Sequence, residues 1–139
     1  MKTKAEIIIE TVKNYNSNNT ARKAETNTCT YMNEDGAMCA VGRCLTNEGM
    51  QIFKAFEDNN LDGNTSIESF VKAYDMDKFN DALKEEYRGH DVDFWKNLQY
   101  LHDAAFNWDE NGITQNGLES VYSLFGEDVY TMVKKALAR

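Results

Sequence analysis

Apolar side chains recur at helical spacing along most of the chain. Ile8, Thr11, Val12 and Tyr15 fall at helical spacing and predict a helix over about residues 4–15. The same periodicity predicts further helices over about residues 47–58, 67–74, 75–87, 92–107, 115–125 and 127–138. Asp91 and Thr114 stand immediately before two of these segments, where N-cap residues are expected. We expect one side of the 92–107 helix, from Trp95 to Phe106, to face the core.

The hydrophobic period changes between residues 28 and 42. Residues 28–32 are rich in β-branched and aromatic side chains, and the sequence Asn-Glu-Asp-Gly at 33–36 is typical of a turn. Residues 37–41 then either return as a second strand or begin a helix. We therefore predict a mainly α (α+β) fold: a single compact helical domain over residues 1–139, with about six helices and one small β-hairpin near residues 28–42.

The composition indicates in which cellular compartment the protein works and what kind of partner it can bind. The chain has 139 residues, 42% of them hydrophobic, which is enough for one domain with a core. Its net charge of −8 argues against direct nucleic-acid binding, which needs clustered Lys and Arg, and favours a basic surface on a protein partner.

The odd number of cysteines argues against a secreted disulfide framework. No apolar run approaches the ~20 residues that span a bilayer, and no signal peptide is recognisable. We predict a cytoplasmic protein that does not associate with membranes; its oligomeric state is left open.

Cysteine and histidine residues are the candidates for covalent or metal chemistry. A thiolate at Cys39, with His102 as its base and Asp103 as the orienting carboxylate, would form a nucleophilic site. Four residues are of types that zinc accepts: Cys29, Cys39, Cys44 and His102. Their spacing differs from that of a typical zinc knuckle, however, and free cysteine is among the most buried residue types. We therefore predict no cofactor, with zinc as the alternative.

Two further motifs are better explained by local structure. The dipeptides at 90–91 and 102–103 are both His-Asp, as in metal-dependent phosphohydrolases of the HD class, but the distant His and Asp that complete such a site are missing. Segments 58–63 and 107–112 match the start of a Ca²⁺ loop, but neither has the required carboxylate at its twelfth position. We expect a helix cap at Asp91 and polar turns at the other two segments.

A small-molecule site is an alternative use of the cationic and aromatic residues. Arg43 and Arg88 have the side chains that bind phosphate groups, and Tyr31 or Trp108 could stack on a base. Nothing in the sequence places these four residues together. The hypothesis is that the protein binds and sequesters a nucleotide signal.

Two segments together resemble a group of small, uncharacterised proteins encoded by bacteriophages and bacteria. The first contains Cys29-x-Tyr31, the Asp-Gly turn, and Cys-Ala-Val-Gly-Arg-Cys-Leu at 39–45; the second is Leu-Gln-x-x-His-Asp at 98–103, followed by Trp108. Many members of the group have Cys directly after the Gly, where this chain has Arg43. The resemblance implies no activity, but it favours a phage-encoded accessory protein.

The leading hypothesis is therefore a non-enzymatic phage accessory protein that binds and inhibits a host factor, such as an anti-CRISPR or anti-restriction inhibitor. Its acidic segments, 75–86 and 103–110, could meet a basic patch on the host protein; the simpler alternative is that each is a solvated helix face. The alternatives are a nucleotide-sequestering protein and a thiol-dependent enzyme that uses Cys39 and His102.

Overall fold

The computed structural model describes residues 1–17, 40–59 and 67–138. Seven α-helices lie within these ranges: α1 (Lys4–Ser17), α2 (Asn47–Asn59), α3 (Ile67–Tyr74), α4 (Met76–Ala82), α5 (Val92–Asp103), α6 (Gln115–Phe125) and α7 (Glu127–Leu137). Three short 3-10 helices accompany them: Gly42–Cys44, Glu85–Tyr87 and Ala105–Asn107. Strands β1 (Trp108–Asp109) and β2 (Gly112–Ile113) pair antiparallel. The predicted mainly α (α+β) class is confirmed. Within the described ranges, no helix is long and apolar enough to cross a membrane.

Side-chain caps fix where several helices begin. The Asp91 carboxylate accepts a hydrogen bond from the backbone N–H three residues later at 2.9 Å, and the Thr114 hydroxyl does the same at 3.0 Å. Both caps confirm the sequence-based prediction. Before α1, Thr3 and Glu6 form a reciprocal capping box, in which each side chain accepts a hydrogen bond from the other residue's backbone N–H.

Helix α5 lies at the centre of the helical packing. Trp95, Leu98 and Leu101 on this helix are fully buried, as the periodicity predicted. One side of α5 contacts α3, which in turn packs on α4, and α4 contacts α2. Helix α5 also contacts α6, which packs on α7, and α7 packs on α1. The core is therefore built around α5 from two groups of helices.

Aromatic rings fill the core between α2, α3 and α4. Phe53 stacks on Phe70 with the ring centroids 4.0 Å apart, and Phe79 meets both rings edge-on. Phe79 also approaches Trp95 of α5, at 5.8 Å between centroids. Offset and edge-to-face contacts of this kind add to the burial of large apolar surfaces.

The helix predicted over 75–87 is interrupted. Helix α4 ends at Ala82 because Leu83 is extended and pairs with Leu45 in an isolated antiparallel bridge. The Thr46 N–H donates to the Ala82 carbonyl at 3.0 Å, so the start of α2 lies directly against the end of α4. Gly49 permits this approach, since a Cβ there would lie 2.1 Å from the Ala82 oxygen. A tertiary contact, rather than local sequence, ends this helix.

The end of α5 and the position of the hairpin also differ from the prediction. Helix α5 ends at Asp103, not near residue 107, and Phe106 in the following 3-10 helix is exposed instead of facing the core. The described hairpin is β1–β2, where the sequence indicated only a turn. Residues 28–39 of the predicted hairpin lie outside the described ranges, and its last residues form a turn at 40–41 and enter the Gly42–Cys44 3-10 helix.

Candidate functional site

The predicted thiol and zinc residues are only partly described. Cys29, Cys39 and Tyr31 lie outside the described ranges, and Asp103 is the last residue of α5. Cys44 is fully buried, and its thiol contacts the Ala40 carbonyl at 3.5 Å. His102 is buried on α5, with 3% of its surface exposed. Among the described residues no three potential metal-ligating side chains of these types come together. The zinc and thiol-enzyme hypotheses therefore stay predictions.

Arg43 belongs to a network of ionised and polar side chains that joins three parts of the fold. The Glu10 carboxylate on α1 accepts hydrogen bonds from the Arg43 guanidinium and from the Tyr87 hydroxyl. Lys2 contacts the other carboxylate oxygen at 2.8 Å, and Arg43 donates a further hydrogen bond to the Thr11 hydroxyl at 2.8 Å. We call Lys2, Glu10, Arg43 and Tyr87 the Glu10 network.

The electrostatics of this network follow from its geometry. Burial alone raises the pKa of Glu10, but the hydrogen bonds from Lys2, Tyr87 and Arg43 outweigh this and hold the pKa at about 2. Burial raises the pKa of Tyr87, and so does the hydrogen bond that it donates to Glu10. Glu10 is therefore ionised and Tyr87 neutral at physiological pH. Within the protein, Arg43 forms a structural ion pair with Glu10, and its role as a phosphate ligand stays a prediction.

The other two described candidates for ligand binding are also engaged in hydrogen bonds within the chain. Arg88 donates to the Leu83 carbonyl at 3.1 Å and to the Asp81 carbonyl at 3.3 Å. Trp108 is buried, and its indole N–H donates to the Leu101 carbonyl at 2.9 Å. These contacts stabilise the end of α4 and the end of α5, together with the segment that follows each helix.

The Ca²⁺-like segment 107–112 is held by its own polar side chains. The buried Asn107 amide donates to the Leu101 carbonyl at 3.1 Å and accepts from the Ser120 hydroxyl at 2.9 Å. The Asp109 carboxylate accepts from the backbone N–H of Asn111 at 2.8 Å, which is an Asx turn. These bonds agree with the prediction that the segment is a polar turn. Of segment 58–63, residues 60–63 lie outside the described ranges.

A surface groove lies beside this turn, between the end of α5 and one face of α6. Its volume is about 440 Å³, and we call it the aromatic groove. Its lining residues are Tyr100, Phe106, Asn116, Glu119, Ser120, Ser123 and Leu124. Tyr100 and Phe106 are 53% and 55% exposed, although both are large aromatic side chains. Glu119 supplies the charge of the lining and is itself exposed.

Backbone hydrogen bonds hold the groove in a defined shape. The Phe106 carbonyl accepts from the Thr114 hydroxyl at 2.8 Å, and the Thr114 N–H donates to the Asn107 carbonyl at 2.8 Å. Gly117 lets α6 approach closely, since a Cβ there would lie 2.5 Å from the Asn107 carbonyl oxygen. The exposed aromatic rings thus stand on backbone that is fixed from both sides.

Sequence reasoning did not find this groove. Phe106 was assigned to the core because the helix was expected to continue through it, and Glu119 was not singled out. The sequence does contain one indication of Tyr100. This aromatic residue is four residues after Lys96 and seven after Asp93, and so lies on the polar face of α5.

Comparison with protein-family models, with characterised proteins and with solved structures returns no match.

Proposed function

We propose that this protein acts without catalysis, by binding another protein through the aromatic groove. The observation that carries the proposal is the pair of exposed aromatic side chains, Tyr100 and Phe106, on fixed backbone around an open groove. Exposed apolar surface next to polar residues is characteristic of interaction sites, and aromatic side chains are enriched among the residues that dominate binding energy. A groove that is already shaped also lowers the ordering cost of association.

The biological setting of this binding is proposed on the sequence alone. The resemblance to small phage and bacterial proteins supports a phage accessory protein that inhibits a host factor in the host cytoplasm. The net charge of −8 supports a partner with a basic surface. In this proposal the protein inhibits by occupying a surface that the host factor needs, so no reaction is required of it.

The test is a comparison of three versions of the protein as bait. The groove variant carries Tyr100→Ser and Phe106→Ser; the matched control carries Tyr122→Ser and Met132→Ser, two half-exposed residues that do not line the groove. Circular dichroism first verifies that all three are folded. Candidate partners from host cells are then purified, and their dissociation constants are measured directly by calorimetry.

The proposal expects a partner that binds the wild type and the control alike and binds the groove variant at least about tenfold more weakly, since two hot-spot side chains are lost. Inhibition of that partner's activity by the wild type, and not by the groove variant, would support the inhibitory role. A partner that binds all three versions equally would place its contact elsewhere and overturn the proposal.

A further inference from the structure

We propose that the aromatic groove receives an arginine side chain of the partner protein, with the guanidinium paired to Glu119 and packed against the exposed rings of Tyr100 and Phe106. This inference rests on the proposed function and names the chemistry that the groove selects. It follows from three properties of the lining: its charge, its hydrogen-bonding polarity and its aromatic surface.

The charge of the lining is negative. Glu119 is exposed on the face of α6 that borders the groove. Asp109 and Glu110, three and four residues after Phe106, are exposed on the adjacent hairpin. A cationic side chain is the electrostatic complement of this surface, and a net charge of −8 attracts it from a distance.

Two hydrogen-bonding groups of the lining, Ser120 and Glu119, accept from an incoming group. The Ser120 hydroxyl donates its hydrogen to the Asn107 amide oxygen at 2.9 Å. Its oxygen can therefore only accept a hydrogen bond from an incoming group. The ionised Glu119 carboxylate is likewise an acceptor. Two acceptors in one lining suit a ligand with several N–H donors, and the guanidinium group has five.

The aromatic rings separate arginine from lysine. A guanidinium is planar and weakly hydrated, so it can lie against an aromatic face while its edge pairs with a carboxylate. An ammonium group is more strongly hydrated and gives up more on entering such a groove. The volume of about 440 Å³ is within the range of pockets that enclose small ligands. It therefore leaves room for apolar residues beside the arginine to contact Leu124.

The test is an NMR titration of the ¹⁵N-labelled full chain with four short peptides, capped by acetyl and amide groups. They share the sequence Gly-Leu-X-Leu-Gly, in which X is arginine, lysine, citrulline or leucine. Citrulline keeps the shape of arginine without its charge. We expect the arginine peptide to bind with a millimolar dissociation constant and to shift the amide signals of Tyr100, Phe106 and Glu119.

The four peptides and one pair of protein variants separate the contribution of charge to binding from that of the planar aromatic contact. Citrulline for arginine, or Glu119→Gln in the protein, should each weaken binding about fivefold, because each removes a charge-assisted pair. Lysine for arginine should weaken it about threefold, through loss of the planar contact. The control Glu127→Gln, an exposed acid outside the groove lining, should leave the dissociation constant unchanged.

Four results would overturn the inference. They are equal binding of the arginine, lysine and citrulline peptides, binding unaffected by Glu119→Gln, no shift at the groove with any peptide at millimolar concentration, and tightest binding of the leucine peptide. Any of these results would leave the proposed function standing if a purified partner binds the wild type but not the variant with Tyr100→Ser and Phe106→Ser. The proposed function would instead be refuted if a purified partner binds this groove variant as tightly as it binds the wild type.

Discussion

Replacing Glu10 by Gln should destabilise the fold by removing the counter-charge of Arg43. The substitution keeps the size of the side chain and one acceptor oxygen, so it isolates the charge. The Arg43 side chain is only 17% exposed, and it would keep its positive charge there without a carboxylate. Breaking a buried ion pair from one side typically costs about 3–5 kcal/mol. Because Glu10 is 31% exposed, we expect solvent to reduce this cost to about 1.5–3 kcal/mol.

The pKa of Glu10 gives an independent bound on the same quantity. The fall from 4.5 to about 2 is a difference of about 2.5 units. At about 1.4 kcal/mol per unit it corresponds to at most about 3.5 kcal/mol in favour of the ionised form in the folded state. Screening of a partly exposed group lowers this figure as well, so the two routes agree.

Urea denaturation at neutral pH measures the effect, and a double-mutant cycle with Arg43→Met isolates the pair. The coupling free energy between Glu10 and Arg43 should be about 1–2 kcal/mol. The matched control is Glu68→Gln, which breaks the exposed Lys96–Glu68 pair at 3.0 Å and should cost less than about 0.5 kcal/mol. If the Glu10 and Glu68 variants lose the same stability, or if the cycle is additive, the Glu10 network does not stabilise the fold as argued.

The same substitution has a defined pH dependence. The pKa of Glu10 is lower in the folded than in the unfolded state, so its contribution is fully present above the unfolded value near 4.5. It is lost as the pH falls through about 2. The difference in unfolding free energy between wild type and Glu10→Gln should therefore shrink between about pH 5 and pH 2. A difference that is constant over this range would contradict the assignment.

Three further substitutions test the points that fix the fold. Gly49→Ala should cost about 1–3 kcal/mol, or more, because its Cβ would meet the Ala82 carbonyl oxygen; an unchanged melting temperature would show that α2 is not held against α4. Asn107→Ala should cost about 2–3 kcal/mol in urea denaturation, because both hydrogen bonds of a buried amide are lost, and a neutral effect would contradict its role. Asp91→Ala should cost about 1 kcal/mol and Asp91→Asn much less, since Asn still caps; equal losses in thermal denaturation would rule out the cap.

The beginnings of helices were predictable because their chemistry is local. Asp91 and Thr114 each cap a backbone N–H three residues away, so the sequence contains both partners. The ends at Tyr74 and Phe125 were also predicted, but the end of α4 was not, because a distant contact fixes it. Helix α4 ends where Leu83 pairs with Leu45, and no residue near position 83 indicates that pairing.

The Glu10 network likewise could not be predicted from the sequence, because its polar residues are far apart along the chain. Arg43 was singled out from the sequence, but as a candidate phosphate ligand. Its carboxylate partner lies 33 positions earlier in the chain, and the Tyr87 hydroxyl that shares the carboxylate lies 44 positions later. Neither partner is connected to Arg43 by any periodic pattern. A cationic side chain next to the buried Cys44 implies that some acid is near, but the fold decides which one.

The end of α5 connects the fold to the proposed binding surface. The Leu101 carbonyl accepts from both the Asn107 amide and the Trp108 indole, which closes the helix and sets the course of the chain that follows. That course leaves Phe106 exposed beside Tyr100, so the groove is a consequence of how the helix ends. The two hydrogen bonds to the Leu101 carbonyl are buried, whereas the two rings are more than half exposed. Substitutions of the rings should therefore change binding with little effect on stability, and substitution of Asn107 should change both.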